Sequence, residues 1–233
     1  RLIRAVHITR RIEMDVWMVM PAYNEERTIG GVLDTLRREG YSKVIVVDDG
    51  SRDRTAEIAR SKGALVVSHP KNMGLGAALR TGLRVAREQG ADRAVTFDAD
   101  GQHDPKAVRK LLEALDGGDL AIGVRQHLGI PLHKRLGNFA LNLITYLFSG
   151  VLTDSQSGSR AFNRRALEAI RIRSDRYEVS SEIIIQARQK GLRLKGVPVK
   201  CFYTAYSRAR GTTIASGIKI FLKLILQTIR PIS

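Results

Sequence analysis

Five short apolar runs, at residues 16–20, 43–47, 64–67, 94–97 and 120–124, punctuate the first half of the chain. Each is too short for a helix and lacks the alternation of a half-exposed strand, which predicts strands buried on both faces. Between them, residues 27–38, 54–62, 75–89 and 105–116 carry apolar positions at helical spacing. The last of these is predicted to open with Asp104 as N-cap and Pro105 at the first helical position. Strand and helix therefore alternate. That order predicts right-handed crossovers, an α/β fold with a mostly parallel sheet, and a ligand site beyond the carboxyl ends of the strands.

The polar residues fall at those ends. The first strand runs into Pro21-Ala22-Tyr23-Asn24-Glu25-Glu26, the second into Asp48-Asp49-Gly50-Ser51, and the fourth into Asp98-Ala99-Asp100-Gly101-Gln102-His103-Asp104-Pro105. Singly, each loop has a plain explanation, with Asn24, Ser51 and Asp104 capping helices and Gly50 making a turn. Three acidic loops on one sheet edge predict a binding site instead, because clustered carboxylates raise each other's pKa unless a cation compensates. Asp98 and Asp100 are hard oxygen ligands suited to Mg²⁺ or Mn²⁺, Gln102 adds a third oxygen, and phosphates would complete the shell. A cation there would act as a Lewis acid on a leaving diphosphate. Paired carboxylates after a strand also suit an aspartyl-nucleophile phosphotransferase, but Gln102 stands where such a site has Thr or Val. Gly74-x-Gly76 begins like a dinucleotide fingerprint, yet Leu79 replaces its third glycine and it follows the third strand, which excludes a Rossmann site. A turn that brings a helix N-terminus to a phosphate and a plain packed loop both remain open for it.

Taken in order, residues 21–26, 48–51, 71–76 and 98–105 resemble the blocks of family 2 inverting glycosyltransferases, and most closely the dolichyl-phosphate mannose synthase-like, polyprenyl-phosphate sugar transferase branch. The resemblance covers about residues 16–212. It implies a GT-A fold, with Pro21, Tyr23, Glu25, Asp48 and Asp49 holding the base and ribose of the donor, Asp98 and Asp100 its diphosphate, and Asp98, Asp100 and Gln102 the metal. In the second half, Gly123-Val124-Arg125, Arg135, Asp154-Ser155-Gln156-Ser157-Gly158-Ser159-Arg160 and Tyr206-Ser207-Arg208-Ala209-Arg210-Gly211 resemble the acceptor-side blocks of that branch. By that resemblance Arg125, Arg135, Ser157 and Arg208 bind the acceptor phosphate, and Asp100, Arg125, Arg135 and Arg208 serve catalysis. Val124 stands where the family pattern has Ser. Guanidinium groups suit bidentate phosphate recognition.

Charge changes the picture of the partner. The 233 residues hold 39 Lys+Arg against 23 Asp+Glu, a net +16, so an anionic partner is expected. Nucleic acid has only that charge in its favour, since zinc-finger spacing and aromatic-rich RNA-binding motifs are absent from the sequence. The lone Cys201 excludes a disulfide framework. Residues 132–149 and 212–230 each read as a helix with a broad apolar face and a polar stripe, too interrupted to span a bilayer; both suit its interface, core packing stays open for the first, and a truncated membrane anchor stays open as well. The second is also suited to self-association. One domain at 16–211 is therefore expected, with a basic arm at 1–15 and an amphipathic helix at 212–233. A start at Arg1 without an apolar signal segment suits a trimmed domain. The interfacial segments and the resemblance to lipid-phosphate enzymes lead to an expected peripheral place on the cytoplasmic face of a membrane.

The predicted reaction is inverting displacement at the anomeric carbon of a GDP- or UDP-hexose by a phosphate oxygen of a polyprenyl (dolichyl) phosphate. A phosphate is anionic at neutral pH and needs positioning more than deprotonation. A hydroxyl acceptor would need a base, for which Asp154 is the first candidate. A non-catalytic sugar-nucleotide-binding protein would leave the metal residues idle.

Overall fold

The computed structural model describes residues 16–125, 146, 154 and 157–200. In chain order these form β1 (Val16–Ala22), α1 (Ile29–Arg38), β2 (Val44–Asp48), α2 (Thr55–Ser61), β3 (Leu65–Ser68), α3 (Leu75–Glu88), β4 (Arg93–Thr96), α4 (Ala107–Ala114), β5 (Leu120–Arg125), β6 (Arg160–Asn163), α5 (Arg164–Ala169), α6 (Val179–Gln189) and β7 (Leu194–Val199). The strands make one seven-stranded sheet in the order β3-β2-β1-β4-β6-β5-β7. Only β6 runs against its neighbours, pairing antiparallel with β4 and β5, while β5 and β7 are parallel.

Helices cover both faces. Met18 and Met20 of β1 point into a core with Ile29, Leu33 and Leu36 of α1 and Val108, Leu111 and Leu112 of α4. Val19, Ile45 and Val47 point the other way, against Leu79 and Leu83 of α3, Leu167 of α5 and Ile183 of α6. A strand packed on both faces needs no polar alternation, which is why β1 and β2 read as continuous apolar runs. Helix α3 lies so close to the sheet that a Cβ at Gly82 would overlap the Val19 side chain.

Two strand readings are corrected by the sheet order. β3 was expected to be buried on both faces but lies at the sheet edge, where Leu65 is 41% exposed. β6 was not expected, because its four residues, Arg-Ala-Phe-Asn, begin and end with polar side chains. Arg160 nevertheless lies in the core, and its backbone N–H donates to Thr96 Oγ1 of β4 at 3.2 Å. At α4, the Asp104 carboxylate accepts the Lys106 backbone N–H at 3.0 Å, the role expected of a cap, although regular helix begins at Ala107. Arg135, Arg208, the arm at 1–15 and the helices expected at 132–149 (Tyr146 apart) and 212–230 lie outside the described residues. Among the described residues, no helix is long and apolar enough to cross a membrane.

The edge of the sheet away from the ligand loops is tied by one buried carboxylate. Asp119 accepts the Arg193 backbone N–H at 2.8 Å and the Asn163 side-chain amide at 3.0 Å, and lies 3.2 Å from Arg165. Burial works to raise its pKa; the hydrogen bonds from Arg193 and Asn163, with the charges of Arg165 and Arg193, outweigh that and hold it below the ordinary carboxylate value. A carboxyl depressed by folding stabilises the protein above its unfolded pKa, and that contribution disappears as pH falls through the folded one. Asp119→Asn is expected to cost about 2–3 kcal/mol at neutral pH, and the gap to wild type should close in acid. Urea denaturation of both proteins across the acid range checks this; a gap independent of pH would remove the charge from the account.

Candidate active site

The strand order reverses between β1 and β4. The chain runs outward through β2 and β3 from β1, then crosses back to β4 on the other side. A crevice opens at such a point, beyond the carboxyl ends of the strands. The loop after β1 stands on one side of it and the loop after β4 on the other.

The β1 and β2 loops are joined to each other. The Asn24 backbone N–H donates to Ser51 Oγ at 2.9 Å, and Asn24 Oδ1 accepts the Arg52 N–H at 2.9 Å. The Glu25 N–H donates to Thr55 Oγ1 at 2.7 Å, and the buried Glu25 carboxylate accepts the Thr28 hydroxyl at 2.8 Å. Asn24 and Ser51 thus lace two loops together where a helix cap was the plain expectation, and Asn24 takes a left-handed backbone, φ 53°, to do so. Asp48 is buried, with Oδ1 accepting the Ser51 N–H at 3.1 Å. Pro21 is half-buried, and Tyr23 is 38% exposed.

Asp49, expected against a base or ribose, has partners within the chain itself. Its Oδ1 accepts the Met73 N–H at 2.9 Å and lies 2.7 Å from His69 Nδ1; its Oδ2 accepts the Gly74 N–H at 2.8 Å. The carboxylate therefore anchors the loop after β3. The glycines of that loop are also accounted for by packing. A Cβ at Gly74 or Gly76 would strike the backbone carbonyl of Asp175 or Ser174, and Asp175 O accepts the Ala77 N–H at 3.1 Å. The N-terminus of α3 is therefore covered by the chain itself, and of the two readings left open for Gly74-x-Gly76 the packed loop is the one realised.

The β4 loop carries the acidic pair. Phe97 leaves the sheet with its N–H on Val19 O at 3.0 Å, and Asp98 follows with its side chain 36% exposed. Asp98 Oδ2 lies 2.8 Å from Nε2 of the buried His103, whose ring packs against Phe97 at 5.6 Å between centroids. Asp100 Oδ1 accepts the Gln102 N–H at 2.9 Å, and its Oδ2 contacts the Gln102 side-chain amide. Burial raises the Asp100 pKa, and the nearby Asp98 charge raises it further. A cation would relieve both effects. Among the described residues no three His, Cys, Asp or Glu side chains converge as a closed metal cage. Two carboxylates and an amide, with coordination left over for phosphate and water, fit Mg²⁺ or Mn²⁺ better than a structural zinc.

The antiparallel β6 brings a third segment to this point. Thr96 Oγ1 donates to Gly158 O at 2.6 Å, which sets Gly158 against Asp98 so closely that a Cβ there would overlap the carboxylate. Ser157, expected to touch the acceptor, is fully buried, its Oγ without a hydrogen-bond partner among the described residues, and its N–H donates to Asp154 O at 3.2 Å. Arg125 closes β5. The structure thus brings Asp98, Asp100, Gln102, Ser157 and Gly158 together. His103, Thr96 and Gly158 were not singled out in the sequence; for His103 the available signal was its position five residues after Asp98 in the same loop.

The mostly parallel seven-stranded sheet flanked by helices, with an acidic pair at its switch point, is of the GT-A glycosyltransferase type. The chain belongs to glycosyl transferase family 2, whose model matches residues 17–171. It is similar to the UDP-N-acetylglucosamine–dolichyl-phosphate N-acetylglucosaminyltransferase of Methanococcus voltae, with 39% identity covering 91% of this chain and 95% of that one. An undecaprenyl-phosphate mannosyltransferase of Micrococcus luteus is 33% identical over 88% of each chain. In fold it resembles the glucosyl-3-phosphoglycerate synthase of Mycobacterium tuberculosis in complex with Mg²⁺ and UDP, at a TM-score of 0.75 and 22% identity, covering 98% of this chain and 85% of that one.

Proposed function

We propose that this glycosyltransferase moves a hexose from a nucleoside diphosphate sugar, UDP-linked by preference, to the phosphate of a polyprenyl lipid, with inversion at the anomeric carbon. The observation that carries the reading is the Asp98–Asp100 pair at the end of β4, raised in pKa at Asp100 and backed by Gly158. The names of the two relatives support the acceptor class, and the first of them supports UDP over the GDP left open by sequence.

Asp98 and Asp100 would hold a divalent ion, and a half-turn of the Gln102 amide would present its oxygen as well. Bound there, such an ion would supply Lewis-acid stabilisation of the departing diphosphate. Tyr23 offers an exposed ring on the nucleoside side, while Pro21, Glu25 and Asp48 shape the wall around it. Asp49 acts there through the loop that it holds. Arg125, Arg135 and Arg208 would grip the lipid phosphate and the donor diphosphate. A phosphate nucleophile reaches the anomeric carbon already ionised, so these groups need only orient it and exclude water. The basic, amphipathic segment at 212–230 would dock the enzyme on the cytoplasmic face of the membrane where such a lipid presents its head group.

The deciding experiment offers the enzyme a UDP-hexose panel with a short-chain polyprenyl phosphate and, separately, the matching polyprenol. Transfer is expected to the phosphate alone. Transfer to the alcohol, with the phosphate ignored, would overturn the acceptor assignment and make Asp154 the base to examine.

A further inference from the structure

The Asp49 carboxylate is the centre of a buried relay. Asp49 and His69 side chains are 5% and 10% exposed, and their contact is 2.7 Å. An ionised carboxylate only accepts, so His69 Nδ1 carries the proton in this contact. Its other ring nitrogen, Nε2, lies 3.0 Å from Thr81 Oγ1, two turns into α3. The two remaining donors to Asp49 are the backbone amides of Met73 and Gly74. Gly50 closes the other end of the same loop: it sits at φ 74°, and any Cβ on it would overlap the Lys71 backbone.

The loop at 71–74 therefore meets the β2 terminus at both ends, packed on Gly50 at one and bonded to Asp49 at the other, and that terminus also carries Asp48 and is laced to the β1 loop. The geometry points to His69 as a positioning residue that, through Asp49, fixes the 71–74 loop as one wall of the nucleotide pocket. Thr81 sets the plane of the ring. The ring fixes the carboxylate, and the carboxylate leaves the two amides one geometry in which both are satisfied. A buried amide that loses its acceptor must find water or move, so slackness in the ring is passed to the loop. The pocket role rests on the proposed use of a nucleoside diphosphate sugar; the relay itself does not.

Two substitutions separate the ring nitrogens. In His69→Asn the side-chain amide nitrogen occupies the place of Nδ1 and still donates to Asp49. In His69→Gln it reaches only the place of Nε2. Hydrogen exchange of the Met73 and Gly74 amides, read by NMR on the full chain without ligand, should stay within about threefold of wild type in His69→Asn and accelerate about tenfold in His69→Gln. With a UDP-sugar donor, KM should rise by a similar factor in His69→Gln, with kcat nearly unchanged and His69→Asn close to wild type. Thr81→Val, which keeps the Asp49 contact and frees the ring plane, should fall between them and supplies the comparison if His69→Gln does not fold. Unchanged exchange in both His69→Gln and Thr81→Val would overturn the relay, as would equal losses in His69→Asn and His69→Gln. Altered exchange with unchanged KM would keep the relay and remove its role in the pocket. A wild-type protein that binds no uridine nucleotide would refute the proposed donor, while the exchange data would still decide the relay.

Discussion

Asp100→Ala should lose sugar transfer by roughly three orders of magnitude or more, because an ion that neutralises the leaving diphosphate contributes several kcal/mol to the transition state. The fold should survive. Among the described residues Asp100 bonds only within its own loop, to Gln102, while His103 and Gly158 meet Asp98, and burial with the neighbouring Asp98 charge raises the Asp100 pKa. Removing it relieves the apo protein of a buried, repelled group. Thermal melting of Asp100→Ala should therefore match or exceed wild type without metal, whereas the stabilisation that Mn²⁺ with UDP confers on wild type should vanish. Because protons and cations compete for a carboxyl of raised pKa, wild-type metal affinity should also weaken as pH falls. Steady-state transfer assays and thermal shifts with and without EDTA check all of this; wild-type turnover in Asp100→Ala would end the metal assignment.

Gly158→Ala should lower turnover by about two orders of magnitude through a single methyl group. That methyl would fall on the Asp98 carboxylate, the far end of a side chain able to swing aside, so the cost falls on the site more than on the fold. A displacement of about 1 Å at a reacting centre is worth about a hundredfold in rate. Gly31 in α1 has open space at its Cβ position and provides the control: Gly31→Ala should leave turnover unchanged and gain up to about 1 kcal/mol of helix stability. Activity in Gly158→Ala equal to that of Gly31→Ala would mean that Asp98 is not held where the structure places it.

The two residues in these predictions differ in how they could be found. Asp100 was legible because a carboxylate pair after an apolar run states its chemistry locally: the run predicts a buried strand, and the strand end predicts where ligands collect. Gly158 has no local signal of its own beyond the acceptor-side block that contains it, since its importance comes from Asp98, 60 positions earlier, and from the antiparallel β6 that carries it there. β6 itself escaped notice because four residues flanked by Arg and Asn present no apolar run to detect.

Local composition determined the alternating strands and helices, their mostly parallel sheet, the edge on which the ligand loops gather and the carboxylates that suit a cation, since each depends on spacing and residue type within a few positions. Tertiary structure decided which polar side chain meets which partner. Asp49 is expected at a ligand because it sits in an acidic loop, and only the folded chain shows that His69, Met73 and Gly74 also meet it. The glycines at 74 and 76 were read as possible phosphate approaches, yet the backbone at 174–175 fills that space. A buried carboxylate or an uncovered helix N-terminus takes whatever donor or acceptor the packed chain brings within about 3 Å. Sequence spacing carries no record of that distance when the partners lie on different elements of the fold.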